Sequence, residues 1–294
     1  MAAPMRGVFP ILITPFDDRD RIDEDSLRSV VDYNIGAGVH GLGIAYATEI
    51  PKLTEAERLR VAEVVIEQSG GRVPVVVNTG APSTAATILY SRQAQDLGAS
   101  AVMCTPPAGG VPESETRAYF KSLSAAIGIP IFLQEAGEAV GGALMRRIAE
   151  ESERLRYAKV ESAPPPRKVQ EAVEHGEGLV TVFGGASGTH LIEELRRGSQ
   201  GTMPWPSLPG AFVNVWDHWQ AGDEGAARQV WEQEIQPVLR IGGLVHKEIL
   251  FRRGVIKSPR FRSPAPPTAL DEITQREFDE VCERLGIGQK QQEV

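Results

Sequence analysis

The sequence predicts an α/β protein: a (β/α)8, or TIM, barrel followed by a C-terminal helical appendage. Three observations carry this. Short apolar runs alternate with segments of helical periodicity, as βα units in a parallel sheet do. Eight such units follow one another without a break, which suits a closed barrel better than an open doubly wound sheet. The length of 294 residues fits one large barrel with a small addition.

The expected strands are Gly7–Thr14, Gly41–Ala45, Val73–Asn78, Ala101–Thr105, Pro130–Gln134, Leu155–Val160, Leu179–Phe183 and Gly201–Met203. The helices between them are Ser26–Gly38, Thr54–Ser69, Ser83–Gly98, Ser114–Gly128, Gly142–Glu151, Pro166–His175 and Thr189–Arg197, with Pro209–Ala221 as the eighth. Several boundaries carry their own signals. Thr54 and Glu57 have the spacing of a capping box, in which the threonine caps the helix and the glutamate reaches back. Gly38, Gly98 and Gly198 stand where helices should stop in a left-handed cap. After Gly222 come helical stretches Glu224–Arg240, Leu244–Gly254 and Leu270–Leu285, joined by the proline-rich Ser258–Pro267. The chain therefore divides into a barrel, residues 1–222, and a helical extension, residues 223–294.

Composition narrows the function. Hydrophobic content of 41% and charged content of 24% are ordinary for a soluble globular protein. A net charge of 31 − 39 = −8 argues against nucleic acid or an anionic membrane as partner. No run approaches the ~18 apolar residues of a membrane span, and the N-terminus lacks the apolar core of a signal peptide. The two cysteines, Cys104 and Cys282, form no CxxC pattern, so a reducing cytoplasm is expected. The five histidines show no HxH or HxxxH spacing; neither a metal nor another cofactor is expected, which disfavours a metal-dependent aldolase.

The residue that stands out is Lys159. It lies on the sixth strand, where most strands carry an apolar residue, and side-chain alternation puts Lys159 and Glu161 on one face with Val160 on the other. Both sit at the C-terminal end of that strand, the end of a barrel at which catalytic residues gather. Taken alone, a lysine in a strand more often snorkels to solvent. Its place in the barrel favours a functional reading.

The motifs resemble the dihydrodipicolinate synthase / N-acetylneuraminate lyase superfamily of Schiff-base barrels over about Arg6 to Gly286. The resemblance rests on Gly7-Val8-Phe9-Pro10-Ile11-Leu12-Ile13-Thr14-Pro15-Phe16, Leu53-Thr54-Glu55-Ala56-Glu57-Arg58, Gly71-Arg72-Val73-Pro74-Val75, Thr105-Pro106-Pro107 and Ile129-Pro130-Ile131. Tyr157-Ala158-Lys159-Val160-Glu161-Ser162 matches its Schiff-base strand. It implies covalent catalysis by Lys159 on a small-molecule 2-keto acid, with a homo-oligomer, dimer or tetramer, as the assembly.

The departures are specific. The GTTGE-like loop after strand two reads Ala45-Tyr46-Ala47-Thr48-Glu49, so only the glutamate matches. The proton-shuttling tyrosine of strand five aligns with Gln134. The arginine after that strand is absent from Ala136-Gly137-Glu138-Ala139, and no aromatic follows the fourth-strand proline in Pro106-Pro107-Ala108-Gly109-Gly110. These losses speak against the lysine-pathway synthase and the sialic-acid lyase. Gln134-Glu135-Ala136 together with Lys159-Val160-Glu161-Ser162 looks more like the branch that dehydrates 2-keto-3-deoxy sugar acids such as L-2-keto-3-deoxyarabonate. The alternatives are aldol or retro-aldol chemistry on pyruvate, and a catalytically silent barrel that binds a 2-keto acid.

The remaining candidates follow from this chemistry. A free lysine, with a pKa of about 10.4, is mostly ammonium at neutral pH, and burial would favour the neutral nucleophile. A nearby ionised Glu161 would oppose that, so Glu161 should point slightly away, be protonated, or exchange its proton with substrate. Glu161 is the first candidate for general acid/base, because Gln134 does not titrate; a purely hydrogen-bonding role is its alternative. Tyr46 is the second candidate, with a rim aromatic covering the barrel top as the competing reading. Thr48 offers a hydroxyl and backbone N–H to a substrate carboxylate, whereas Glu49 orients its loop. Gly184, Gly185 and Ser187, in Gly184-Gly185-Ala186-Ser187-Gly188, either let the backbone approach an anion or make a plain tight turn. Asn78, Thr79 and Gly80 end strand three and line the pocket by position. Lys168 and Lys247 read as solvated or structural. The four tryptophans read as packing residues, although Pro204-Trp205-Pro206 could close over the pocket.

Overall fold

The computed structural model describes residues 4–136, 140–266 and 269–288. Residues 137–139, where the sequence lacks the arginine, and Pro267 of the proline-rich joint lie outside the described residues.

Eight parallel strands run in the order β1-β8-β7-β6-β5-β4-β3-β2. They are β1 Gly7–Val8, β2 Leu42–Ile44, β3 Val75–Asn78, β4 Ala101–Cys104, β5 Ile131–Glu135, β6 Leu155–Val160, β7 Thr181–Gly184 and β8 Gly201–Thr202. The ring closes between β1 and β2 through a parallel bridge from Ile11 to Gly43, with Leu12 N donating to Gly43 O at 2.8 Å and Gly43 N to Pro10 O at 2.9 Å. The first strand is shorter than Gly7–Thr14 because Pro10 has no N–H to offer the ladder. The chain stays extended past it, and Ile11 N donates to Pro204 O at 2.8 Å.

The helices of the eight units are α1 Glu24–Gly36, α2 Glu55–Ser69, α3 Thr84–Asp96, α4 Glu113–Ala126, α5 Gly142–Glu151, α6 Pro165–Gly176, α7 Leu191–Leu195 and α8 Pro209–Gln220. The capping box at α2 is present: Thr54 Oγ1 accepts from Glu57 N and Glu57 Oε2 from Thr54 N. Gly38, Gly98 and Gly198 all have positive φ, at 84°, 97° and 90°. The stretch Glu224–Arg240 is not one helix. It divides into α9 Glu224–Val230, a π-helical turn Trp231–Ile235 and α10 Gln236–Ile241. Pro237 explains the break, since it lacks the N–H that would bond to Gln233 and its ring crowds that carbonyl. Then follow α11 Val245–Arg252 and α12 Glu272–Arg284. Among the described residues no helix is long and apolar enough to cross a membrane.

Two apolar layers result. One lies between the strands and the surrounding helices. The other fills the barrel with Phe9, Ile11, Met103, Phe132, Phe183 and their neighbours, Phe132 stacking on Tyr157 at 4.5 Å. Small residues make the space: a Cβ on Gly41 would overlap the Phe9 ring, and one on Gly201 would overlap Phe183. A bulge in β6 sets the phase of the strand that matters most. Ile131 pairs with Leu155 but Phe132 with Tyr157, which leaves Arg156 as an extra residue. Beyond it Ala158 and Val160 pack toward the helices while Tyr157 points into the barrel. Alternation then turns Lys159 to the inside, above Tyr157.

Gly41→Ala should therefore press a methyl group into Phe9 and destabilise the barrel by ~1–3 kcal/mol. Urea denaturation should show a lower midpoint with an unchanged slope.

Candidate active site at the mouth of the barrel

Lys159 is 4% exposed although it stands at the open end of the strands. A buried ammonium needs a partner, and Glu161, two residues on and on the same face, supplies it. Lys159 Nζ lies 2.9 Å from Glu161 Oε1. Of the three alternatives for Glu161, pointing slightly away is the one corrected, because the cost of burying the lysine draws the carboxylate in. Gln134, the register partner of Lys159 on β5, donates from Nε2 to Glu161 Oε2 at 2.9 Å. Its Oε1 in turn accepts from Asn78 Nδ2 of β3 at 2.9 Å. Asn78 so fixes which way the Gln134 amide points, leaving only an N–H to face the carboxylate.

These groups open on a cavity of about 290 Å³. Its polar side consists of Lys159, Glu161, Gln134, Ser187 and Tyr46. The facing wall is apolar, made by Ile11, Ala47, Met203, Pro204 and Trp205. Trp205 is backed by His246, whose ring stacks on it at 4.7 Å and 16°. His246 is fully buried, and burial drives its pKa down to about 3, so it stays neutral. Its Nδ1 is held by Ser207 Oγ at 2.7 Å. Ser187 reaches the cavity from a turn in which it and Ala186 both adopt positive φ, at 62° and 45°. Tyr46 stands at the rim, 50% exposed.

Five of the ten predicted site residues, Lys159, Glu161, Tyr46, Gln134 and Ser187, thus meet in one cavity. The other five do not line it. Thr48 is fully buried; its hydroxyl donates to Leu12 O at 2.6 Å and accepts from Ala45 N at 3.0 Å, and its N–H goes to Ala45 O. It closes the loop and has no donor left for a substrate. Thr79 faces the helix layer, with Oγ1 2.7 Å from Ser91 Oγ and 3.3 Å from Cys104 Sγ. The space beside Gly184 and Gly185 is filled from within: a Cβ on Gly184 would overlap Glu194, and one on Gly185 would overlap Glu161. These glycines admit protein carboxyls, not a substrate anion.

Glu49 orients its loop, as expected. Its Oε1 lies 2.5 Å from Lys247 Nζ, and its Oε2 accepts from Arg262 N at 3.2 Å. Lys247, structural rather than solvated, also donates to Thr14 O and Arg260 O at 2.8 Å each. Burial holds its pKa down to about 8 against the upward pull of Glu49. Sequence reasoning missed the roles of Asn78 and Glu194. For Glu194 there was a signal: it stands three residues after the buried Leu191, on the inner face of its helix. Among the described residues no group of three or more His, Cys, Asp or Glu could hold a metal ion.

Residues 4–281 match the Dihydrodipicolinate synthetase family. The chain is 33% identical to an L-2-keto-3-deoxyarabonate dehydratase of Azospirillum brasilense, over 95% of this chain and 94% of the relative. It is 31% identical to a 4-hydroxy-tetrahydrodipicolinate synthase of Methanopyrus kandleri, over 82% of each. The crystal structure of dihydrodipicolinate synthase from Rhodopseudomonas palustris superposes with a TM-score of 0.86 at 27% identity, covering 95% of this chain and 97% of that one.

Glu194 has a measurable consequence for stability. Burial, reinforced by the negative charges of Glu193 and Glu161, raises its pKa from 4.5 to about 8. Between these values the folded chain keeps a proton that the unfolded chain has lost, so the stability this group contributes at low pH is lost as pH rises toward 8. The loss amounts to something on the order of 5 kcal/mol. Denaturant titrations of Glu194→Gln across that range should show a flatter dependence of stability on pH than the unaltered chain.

Proposed function

We propose a reaction for a chain that belongs to the dihydrodipicolinate synthetase family: Schiff-base-forming dehydration of a 2-keto-3-deoxy sugar acid, resembling L-2-keto-3-deoxyarabonate. The observation that carries the reading is the contact of the buried Lys159 with the half-buried Glu161, 2.9 Å apart, at a cavity large enough for such a compound. The two side chains divide the work. Lys159 passes a proton to Glu161 and attacks the C2 carbonyl as a neutral amine; Glu161 returns that proton as one water is lost, which leaves a protonated imine and a Glu161 carboxylate. That imine draws electrons from C3, whose proton goes to the Glu161 carboxylate, giving an enamine. The enamine electrons then expel the C4 hydroxyl, which leaves as water with a proton returned by Glu161. A further water hydrolyses the imine and frees Lys159. The net change is loss of one water from the substrate.

Gln134 supports this reading because it lacks a titratable group where the resembling barrels carry a tyrosine, which leaves Glu161 to move the proton. The dehydratase relative, matched over 95% of this chain, supports dehydration over C–C cleavage. The synthase relative keeps aldol chemistry on pyruvate as the second reading, since both reactions share the imine. The apolar wall at Trp205 suits the carbon face of a sugar-acid tail. The resemblance also carries the proposal of a homo-oligomer, and light scattering should give a molar mass well above 31.9 kDa; a value at one chain would refute it.

Incubation with pyruvate or with a series of 2-keto-3-deoxy sugar acids, followed by borohydride, should leave a reduced adduct that peptide mass spectrometry locates on Lys159. The best-trapped and turned-over compound should be a sugar acid. Failure of folded protein to trap any 2-keto acid would overturn the lyase reading in favour of a silent binding barrel. Lys159→Ala should abolish trapping and lower turnover by roughly 10³-fold or more. Glu161→Gln should still trap, more slowly, and lose ~10²–10⁴-fold in turnover.

A further inference from the structure

The two-glycine step Gly184-Gly185 holds a carboxyl on each side. Neighbouring residues of a strand face opposite ways. At Gly185 the space for a side chain is taken by Glu161, and at Gly184 by Glu194 of α7. Glu194 is 0% exposed, and neither of its carboxyl oxygens has a hydrogen-bond partner among the described residues. Thr202, the register partner of Gly184 on β8, has a buried hydroxyl that is likewise unpartnered there. A carboxylate in such a place would be an unpaired buried charge, whereas the neutral acid is tolerated. No step of the proposed reaction uses Glu194.

We propose that Glu194 is a positioning residue for Glu161: held as the neutral acid behind Gly184, it leaves Glu161 as the single negative charge at the glycine step, and its ionisation at alkaline pH disables the Lys159–Glu161 pair. The inference rests on Glu161 being the acid/base group of the site. The charges that act on Glu194 are both negative, Glu193 on its own helix and Glu161 of β6. Glu193 faces Arg228 of α9 at 3.7 Å, and Glu161 faces Lys159. From the sheet, β7 and β8 present Gly184 and Thr202. Ser199, in the turn after α7, donates its hydroxyl to Gly201 O at 2.7 Å. None of these three titrates near neutral pH. Loss of the Glu194 proton therefore adds a second negative charge beside the first. It is also the reason both positions are glycine, since a methyl group at either would displace one of the two carboxyls.

The test has two readouts. Infrared difference spectra of the unaltered chain against Glu194→Gln, with Glu194→Met as a second variant, should show at neutral pH a protonated-carboxyl band that both variants lack. The band should vanish above about pH 9 in the unaltered chain. Rates of turnover, or of pyruvate trapping on Lys159, should fall on an alkaline limb that shifts upward by about one pH unit or more in Glu194→Gln, a tenfold change in proton affinity. Absence of the band at neutral pH overturns the proposal, as do pH–rate profiles that superimpose. Should one variant fail to fold, the other supplies both the difference band and the pH–rate profile. Absence of any Lys159 adduct in the unaltered chain defeats the Schiff-base reading instead, and leaves the infrared result on Glu194 standing.

Discussion

A lysine can be buried at the mouth of an apolar barrel only if something answers its charge, and here the answer comes from the same strand. Glu161 follows Lys159 by two residues, so the pleat brings both to one side, and their contact at 2.9 Å offsets the cost of burying the lysine. The surroundings follow from keeping that pair in register. The bulge at Arg156 sets the phase of β6. Gln134 holds the second oxygen of Glu161, and Asn78 holds Gln134. Gly185 gives Glu161 room to lie flat. One strand carries the ion pair, and residues of its surroundings hold it in place.

The fold was legible because its signals are local. Alternation of short apolar runs with helical segments, the Thr54–Glu57 box and the glycine caps are all set by residues close in sequence, and the structure bears them out. Lys159 and Glu161 were legible for the same reason, since strand periodicity alone puts them together. Pro237 was visible in the sequence, but its effect as a π turn within a longer helical stretch was not anticipated.

The part of the site that was misread depends on the far side of each residue. Thr48 and Thr79 end strands beside the cavity, and sequence does not say whether a hydroxyl turns toward it or toward the helices. Both turn away, into hydrogen bonds with Leu12, Ser91 and Cys104. Gly184 and Gly185 read either as room for an anion or as a plain tight turn; the room exists, but Glu194 and Glu161 occupy it. A glycine reports that something comes close without reporting what.

The tie between Glu49 and Lys247 bears on the order in which the protein is made. The two partners are 198 residues apart, and all eight strands precede Lys247 in the chain. At ribosomal rates of ~5–20 residues per second, Glu49 has been synthesised ~10–40 s before its cation. A nascent barrel can pair its strands in that interval, yet the loop that carries Tyr46 keeps a carboxylate without its lysine. The rim of the cavity is therefore finished after the sheet, by a stretch of chain that follows all eight strands.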